Sequence, residues 1–170
     1  MASHFIAFAD GRFEGEGLSF RCALGQGGVK PAADKREGDG ASPLGRWPVR
    51  RVFFRPDRGA APETDLPAIA LRPTDGWCDD AGAPDYYNRL VTLPCRVSHE
   101  RLWREDGLYD LFVELGYNDD PPEPGKGSAI FLHIARAGYL PTEGCVALAE
   151  ADLRAVLGRL GTGSVIEIRA

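Results

Sequence analysis

The sequence predicts a mostly β chain that forms a single domain over residues 1–170. Short segments rich in β-branched and aromatic residues recur along it, as is typical of strands. The 21 glycines and 13 prolines fall between these segments and indicate frequent turns. The hydrophobic residues, 44% of the chain against 26% charged, provide enough apolar surface for a core. No repeat or linker divides the chain, whose length suits one domain.

Each predicted element follows from a local pattern. Strands are expected at residues 4–9, 18–24, 46–54, 66–72, 108–115, 129–134 and 165–168, and loops in the proline-containing segments 55–65 and 118–127. One helix in the C-terminal region is predicted by the spacing of Leu153, Val156, Leu157 and Leu160, with Gly161 ending it. A second, short helix is predicted over residues 99–104, because Ser98 is a suitable N-cap.

Charge and hydropathy exclude several classes of partner. The net charge is −5 and the sequence pI is near 5.2, which argues against nucleic acid as a partner. Apolar runs are far too short to span a bilayer, so membrane insertion is not expected. The first residues lack the basic and apolar regions of a signal peptide, so ordinary export is not expected from the sequence as written.

The four cysteines have no metal-binding or redox spacing. Cys22, Cys78, Cys95 and Cys145 include no C-x-x-C pair, which argues against a zinc finger or a thioredoxin-like site. A disulfide between Cys78 and Cys95 remains open beside the alternative of free thiols.

A histidine and a cysteine in the last third of the chain carry the strongest chemical signal. An apolar run ends at His133, a loop with Gly138 and Pro141 reverses the chain, and Gly144 and Cys145 open the next extended segment. An imidazole within reach of a thiol can take its proton and produce a nucleophile. Gly144 would leave room for a substrate carbonyl, and the N–H groups of Gly144 and Cys145 would face its oxyanion. The alternative is a buried thiol near a core histidine.

Two motifs in the expected order resemble a known family. Thr142-Glu143-Gly144-Cys145, with His133 before it, matches the Ser/Thr-x-Gly-Cys signature of YkuD-type L,D-transpeptidases. The segment 42–47, with sequence SPLGRW, resembles the early Thr/Ser-Pro-x-Gly-x-Phe/Trp turn of that family. The resemblance runs from about residue 19 to the end of the chain. The chain departs from the family in its short loop between His133 and Cys145, in Glu143 where a second histidine is common, and in Ala147.

The resemblance implies a β-sandwich fold and a two-step reaction on peptidoglycan stem peptides. Cys145, activated by His133, would attack a tetrapeptide donor, release D-alanine and form a thioester, which an amine acceptor would resolve. The backbone carbonyl of Ile134 would hold the imidazole, and neither a metal nor an organic cofactor is implied. Resolution by water would make the protein an L,D-carboxypeptidase, and a silent peptidoglycan-binding module is a third possibility. The family implies a periplasmic or cell-envelope location, while a recycled substrate would allow a cytoplasmic one.

Substrate contacts are predicted in two segments. Aromatic, carboxylate and amide side chains would suit a substrate that carries both ammonium and carboxylate groups. The candidate residues are Trp77, Tyr87, Asn88, Arg89, Thr142 and Glu143. The aromatic residues among them could instead cover the core, and Glu143 could orient His133 or bind an amine. The charged residues between Glu100 and Asp106 are interpreted as a solvated face, and His4 and His99 are given no role.

Overall fold

A computed structural model describes residues 2–170 of the protein, in which thirteen strands and one α-helix are found. The helix α1 spans Glu150–Leu157, and single 3-10 turns lie at Ala32–Asp34 and Ala137–Tyr139. The strands are β1 His4–Phe8, β2 Arg12–Gly15, β3 Leu18–Arg21, β4 Val29–Pro31, β5 Ser42–Phe54, β6 Ala68–Ala70, β7 Asp75–Cys78, β8 Leu90–Thr92, β9 His99–Arg101, β10 Leu111–Leu115, β11 Phe131–Ile134, β12 Val146–Leu148 and β13 Val165–Arg169.

The long strand β5 joins the two halves of a ten-stranded sheet. Its first half pairs with β13, and its second half pairs with β10. The strand order is β12-β11-β10-β5-β13-β1-β2-β3, with β4 and β6 paired to β5 outside this path. An isolated bridge between Ala23 and Ala147 connects the two ends, so the sheet folds back on itself. The edge next to the Gly-Cys motif is therefore paired with the segment that follows β3.

The main core fills the space inside this folded sheet. Side chains from β1, β5, β10, β11 and β13 meet the apolar face of α1, on which Leu153, Val156 and Leu157 are fully buried. Burying a leucine or valine stabilises the fold by about 1.5–3 kcal/mol. A second, aromatic cluster contains Cys145 and packs around Phe112 and Phe131, whose ring centroids are 4.7 Å apart. The cysteine thus lies in the wall of a well-packed region.

A separate three-stranded sheet, in the order β8-β7-β9, corrects one prediction. The residues expected as a short helix after Ser98 instead form the strand β9, in which His99 pairs with Cys78 and Glu100 with Trp77. The helix prediction over residues 99–104 is wrong, because pairing with a buried strand outweighs the local preference of charged residues for a helix.

The mostly β prediction and the helix in the C-terminal region are confirmed. All seven predicted strands contain a strand, although the one at residues 66–72 shrinks to Ala68–Ala70. The helix ends at Leu157 with Gly158 as its C-cap, earlier than Gly161. The four cysteines are free thiols, so Cys78 and Cys95 are not paired. Within residues 2–170, no helix has the length and apolar character needed to cross a membrane.

Candidate active site

Two adjacent parallel strands, β11 and β12, position His133 and Cys145. His133 lies in β11, and Cys145 directly precedes β12. The register pairs Leu132 with Val146 and His133 with Ala147. The intervening loop therefore crosses over rather than forming the simple reversal expected from the sequence, and Cys145 comes level with Phe131. Alternate residues of a strand share a face, so Phe131 and His133 lie on the same face of β11. Cys145 therefore lies beside the residue two positions before His133.

Two backbone groups hold the sulfur of Cys145. The thiol donates a hydrogen bond to the carbonyl of Ala129 at 3.1 Å, and the N–H of Phe131 donates to Sγ at 3.3 Å. Cys145 is only 6% exposed. The sulfur is thus fixed by the chain segment that leads into β11.

The imidazole of His133 has a defined tautomer. Its Nδ1 lies 2.8 Å from the carbonyl oxygen of Ile134, and because a carbonyl only accepts, Nδ1 carries the proton. The second nitrogen, Nε2, keeps its lone pair and is the one able to accept a proton. The ring also packs edge-on against Tyr109, with centroids 5.4 Å apart. The family resemblance predicts a hydrogen bond to the carbonyl of Ile134 at this place, and its role in catalysis stays a prediction.

Burial keeps both groups uncharged at rest. It lowers the pKa of His133 to about 4, with a smaller contribution from Arg104 and Arg136, against the hydrogen bond to Ile134. Burial raises the pKa of Cys145 to about 12, while the Phe131 N–H opposes the shift. At neutral pH the site therefore holds a neutral thiol and a neutral imidazole rather than an ion pair.

The turn before Cys145 is fixed by Thr142. Its hydroxyl donates to the carbonyl of Cys145 at 2.7 Å and accepts the N–H of Gly144 at 3.1 Å. The N–H of Gly144 is therefore occupied, contrary to the expectation that it would face an oxyanion. The N–H of Cys145 has no hydrogen-bond partner among residues 2–170 and is the better candidate donor.

Backbone packing explains why position 144 is a glycine. Its φ of +135° disfavours other residues, and a Cβ there would come within 2.9 Å of the carbonyl oxygen of Ala41. Ser42 of the early motif donates a hydrogen bond to the carbonyl of Gly144 at 2.7 Å. The two motifs noted in the sequence thus meet in space, and this contact requires a glycine at position 144.

A cavity of about 140 Å³ is lined by both His133 and Cys145. Thr142 and Glu143 also line it, and the Glu143 carboxylate accepts a hydrogen bond from Gln26 at 3.0 Å. Pockets for drug-sized ligands are typically larger, about 300–1,000 Å³, so this cavity holds only a small part of a ligand of that size.

Charged residues that the sequence did not assign to the site form part of the cavity wall. Glu100, Arg104 and Arg136 line it together with Tyr109. The hydroxyl of Tyr109 donates to the Glu100 carboxylate, and burial raises the pKa of that carboxyl, although Tyr109 and Arg104 oppose the shift. Arg136 is exposed and makes no side-chain ion pair within the described residues 2–170. No local sequence pattern predicts that these residues line the cavity. Glu100 lies there because β9 pairs with β7.

Four of the predicted substrate contacts lie elsewhere. Trp77, Tyr87 and Asn88 are buried, and Arg89 is exposed, but none of them lines the cavity of Cys145. The hydroxyl of Tyr87 donates to Glu37 at 2.7 Å. The indole N–H of Trp77 donates to the side-chain oxygen of Asn88 at 2.9 Å. The side chains of Trp77, Tyr87 and Asn88 thus form hydrogen bonds within the protein. For the two aromatic residues, this agrees with the alternative that they cover the core.

The part of the chain that the structure describes, residues 2–170, contains no cluster of three or more His, Cys, Asp or Glu residues suited to a metal ion.

Comparison with known proteins gives one strong match. A family model described as YkuD, the L,D-transpeptidase catalytic domain, matches residues 2–168. No curated protein has significant sequence similarity to the chain.

Similar solved structures include L,D-transpeptidase 1 of Mycobacterium tuberculosis, with 13% identity and a TM-score of 0.44. An L,D-transpeptidase from Mycobacterium smegmatis has 12% identity and a TM-score of 0.47. L,D-transpeptidase 3 of M. tuberculosis, in complex with a faropenem-derived adduct, has 11% identity and a TM-score of 0.47. In each case 99% of this chain is covered, but only 62%, 59% and 60%, respectively, of the other chain.

Proposed function

The chain belongs to the L,D-transpeptidase catalytic domain family, YkuD, and from that membership we propose that it is a cysteine-dependent acyltransferase acting on peptidoglycan stem peptides. Cys145 is the nucleophile, His133 the base, and the carbonyl of Ile134 orients the base. The proposal is carried by one observation, that Cys145 and His133 line the same cavity while the sulfur and Nδ1 are each held by backbone groups.

The first step forms a thioester. Because the resting thiol and imidazole are neutral, Nε2 of His133 takes the thiol proton as the sulfur of Cys145 attacks the donor carbonyl. The N–H of Cys145 stabilises the negative charge that develops on the carbonyl oxygen. The protonated His133 then gives its proton to the amine of the departing D-alanine, and the acyl group stays on sulfur.

The second step returns the cysteine to its thiol form. An acceptor amine attacks the thioester, His133 takes the proton of that amine, and the sulfur leaves as a thiol with the same proton. If water attacks instead, the product is a free carboxylate and the enzyme is an L,D-carboxypeptidase. The same residues serve both reactions, so the acceptor that enters the cavity decides between them.

Charged groups on the cavity wall suit a zwitterionic donor. The Glu100 carboxylate is available to a substrate ammonium group, and Arg136 is available to a substrate carboxylate, since it has no ion-pair partner within residues 2–170. Glu143, at the rim, is a second position for an ammonium group. The substrate of this proposal belongs to the cell envelope, and fractionation of the native protein tests that location.

Acylation by a carbapenem tests the nucleophile. Attack of the thiol on the β-lactam carbonyl opens the ring, so the whole mass of the drug adds to the protein. We expect one added mass in the wild-type protein, none in Cys145→Ala and the wild-type amount in the control Cys95→Ala, measured by intact-protein mass spectrometry. Wild-type protein that stays unmodified and leaves tetrapeptide muropeptides unchanged would refute the proposal and favour a silent binding module.

Product analysis separates the two enzymatic activities. Tetrapeptide substrate is incubated with and without an acceptor amine, and the products are identified by mass spectrometry. Cross-linked or exchanged products that depend on the amine indicate a transpeptidase. Tripeptide as the only product in both mixtures indicates a carboxypeptidase.

A further inference from the structure

We propose that Asn88 is a positioning residue for the nucleophile, acting through the backbone of Ala129. Asn88 is outside the cavity of Cys145 and only 6% exposed. Its side-chain oxygen accepts the N–H of Ala129 at 3.0 Å, and the carbonyl of Ala129 accepts the thiol of Cys145 at 3.1 Å. One residue thus separates the amide of Asn88 from the sulfur. This inference deepens the proposed function and rests on it.

The amide of Asn88 uses all its hydrogen-bonding capacity. Its oxygen also accepts the indole N–H of Trp77 at 2.9 Å. Its nitrogen donates to the carbonyls of Tyr117 at 3.1 Å and Asn118 at 2.7 Å. A buried amide with two accepted and two donated hydrogen bonds is fixed in both position and orientation. Its side-chain oxygen is therefore a rigid acceptor for Ala129.

The backbone of Ala129 needs such a restraint. Its φ is +54°, in the left-handed region that alanine rarely adopts, and such a conformation persists only where the surroundings impose it. If Ala129 relaxed, its carbonyl would turn away and the sulfur would lose its acceptor. The N–H of Phe131, two residues further along, holds the other side of the sulfur. Asn88 therefore stabilises the conformation in which both backbone groups face Cys145.

The backbone at position 88 also suits asparagine. The φ of Asn88 is +56°, and asparagine adopts this region more readily than most residues other than glycine. Replacement by glycine thus removes the amide without adding backbone strain. Trp77→Phe is a milder change, since it keeps an aromatic ring against Phe131 but removes one N–H from the oxygen of Asn88.

The limiting rate of carbapenem acylation and the half-saturating drug concentration test this role. We expect Asn88→Gly to lower the limiting rate by about 10- to 100-fold, because a small displacement of a reacting atom has an effect of this size. The half-saturating concentration should stay within about twofold, because Asn88 does not line the cavity. Trp77→Phe should lower the limiting rate by a smaller factor, about two- to fivefold.

Ile166→Val is the control for lost stability alone. Ile166 is fully buried in β13, in the main core rather than in the cluster that contains Cys145. All variants are compared at a temperature at which circular dichroism shows them folded, and the control should acylate at the wild-type rate. Asn88→Gly that is folded and equally fast would overturn the inference. If Asn88→Gly does not fold, Trp77→Phe decides: a reduced limiting rate supports the role, and an unchanged one refutes it.

The inference and the proposed function fail in different ways. A wild-type protein that carbapenem does not modify contradicts the function itself. Wild-type protein modified at Cys145, together with folded Asn88→Gly that reacts at the same rate, leaves the function intact and removes only the role of Asn88.

Discussion

Two cysteine and histidine pairs occur in residues 2–170, and only one of them resembles a catalytic site. In the outer pair, Sγ of Cys95 lies 3.3 Å from Nδ1 of His99, and both side chains are half-buried. In the inner pair, Cys145 and His133 are buried and share a cavity. Within residues 2–170, a hydrogen bond between sulfur and an imidazole nitrogen joins only the outer pair, so that contact alone would select the outer pair.

The difference lies in which groups hold the nitrogen and the sulfur. His99 uses the same Nδ1 for the carbonyl of Val97, 2.8 Å away, and for Cys95. His133 gives Nδ1 to Ile134 and keeps Nε2 for a proton, while separate backbone groups hold the sulfur of Cys145. Catalysis needs this division of roles, since the base must be oriented by one partner and free toward another.

Substitution of each histidine gives the largest expected contrast. His133→Gln removes the proton acceptor, and we expect turnover of tetrapeptide and acylation by carbapenem to fall by about 10²- to 10⁴-fold. His99→Gln is the matched change in the outer pair and should leave both rates within about twofold, as measured by stopped-time mass spectrometry. Equal losses in the two variants would mean that the division of roles does not distinguish the pairs.

Alkylation by iodoacetamide should show the opposite preference. With a pKa near 12, only about 10⁻⁴ or less of Cys145 is thiolate at pH 7.5, and its side chain is buried. Cys95 is the most exposed of the four cysteines. We expect peptide mapping of the native protein to find Cys95 labelled at least about 10³-fold faster than Cys145.

The alkylation control is Cys95→Ala, which should remain nearly unlabelled in its native state and still be acylated by carbapenem at Cys145. Labelling of Cys145 as fast as Cys95 would show that the resting thiol is neither buried nor neutral. A slow reaction with iodoacetamide is thus expected of an active enzyme here, because the thiol proton leaves only as the substrate is attacked.

The sequence predicts those parts of the fold and site that depend on neighbouring residues. Alternating and β-branched segments mark β1, β5, β11 and β13, and helical spacing marks α1. The order of His133, Gly144 and Cys145 is likewise readable, because each stands at the end or beginning of an apolar segment. Local chemistry is sufficient for these elements.

Tertiary pairing determines what the sequence could not. The strand β9 contains His99, Glu100 and Arg101, a composition that resembles a solvated helix and becomes a strand only by pairing with β7. That pairing carries Glu100 to the cavity. Trp77 and Asn88 lie in a turn-rich segment whose composition predicts a substrate-binding loop. In the structure both are buried, and hydrogen bonds join Trp77 to Asn88 and Asn88 to Tyr117.

The pH dependence of stability provides a smaller effect, which tests the buried state of His133. The pKa of His133 is about 4 in the folded protein, against 6.5 for an ordinary histidine. Below pH 6.5 the histidine binds a proton in the unfolded chain, whereas in the folded protein it binds one only near pH 4. The contribution of neutral His133 to the free energy of unfolding is therefore fully present above pH 6.5. It falls by roughly 3 kcal/mol as the pH drops to 4.

Urea unfolding between pH 4 and 7.5 measures this contribution. The difference in unfolding free energy between wild type and His133→Gln should change with pH by that amount, because glutamine cannot be protonated. Parallel curves for wild type and His133→Gln would contradict the buried, neutral state of His133.

The smallest expected effect is on substrate binding and comes from the charged residues that line the cavity of Cys145 and His133. Glu100→Gln keeps an acceptor for the hydroxyl of Tyr109 but removes the charge proposed to bind the donor's ammonium group. We expect the KM for tetrapeptide to rise about 10-fold with kcat changed less than about threefold. Glu114→Gln is the matched control, since burial also raises the pKa of Glu114, which binds Arg51 at 2.6 Å and does not line the cavity. An equal KM in the two variants would mean that the ammonium group binds elsewhere. Backbone positioning, rather than charge, would then distinguish the inner pair from the outer pair.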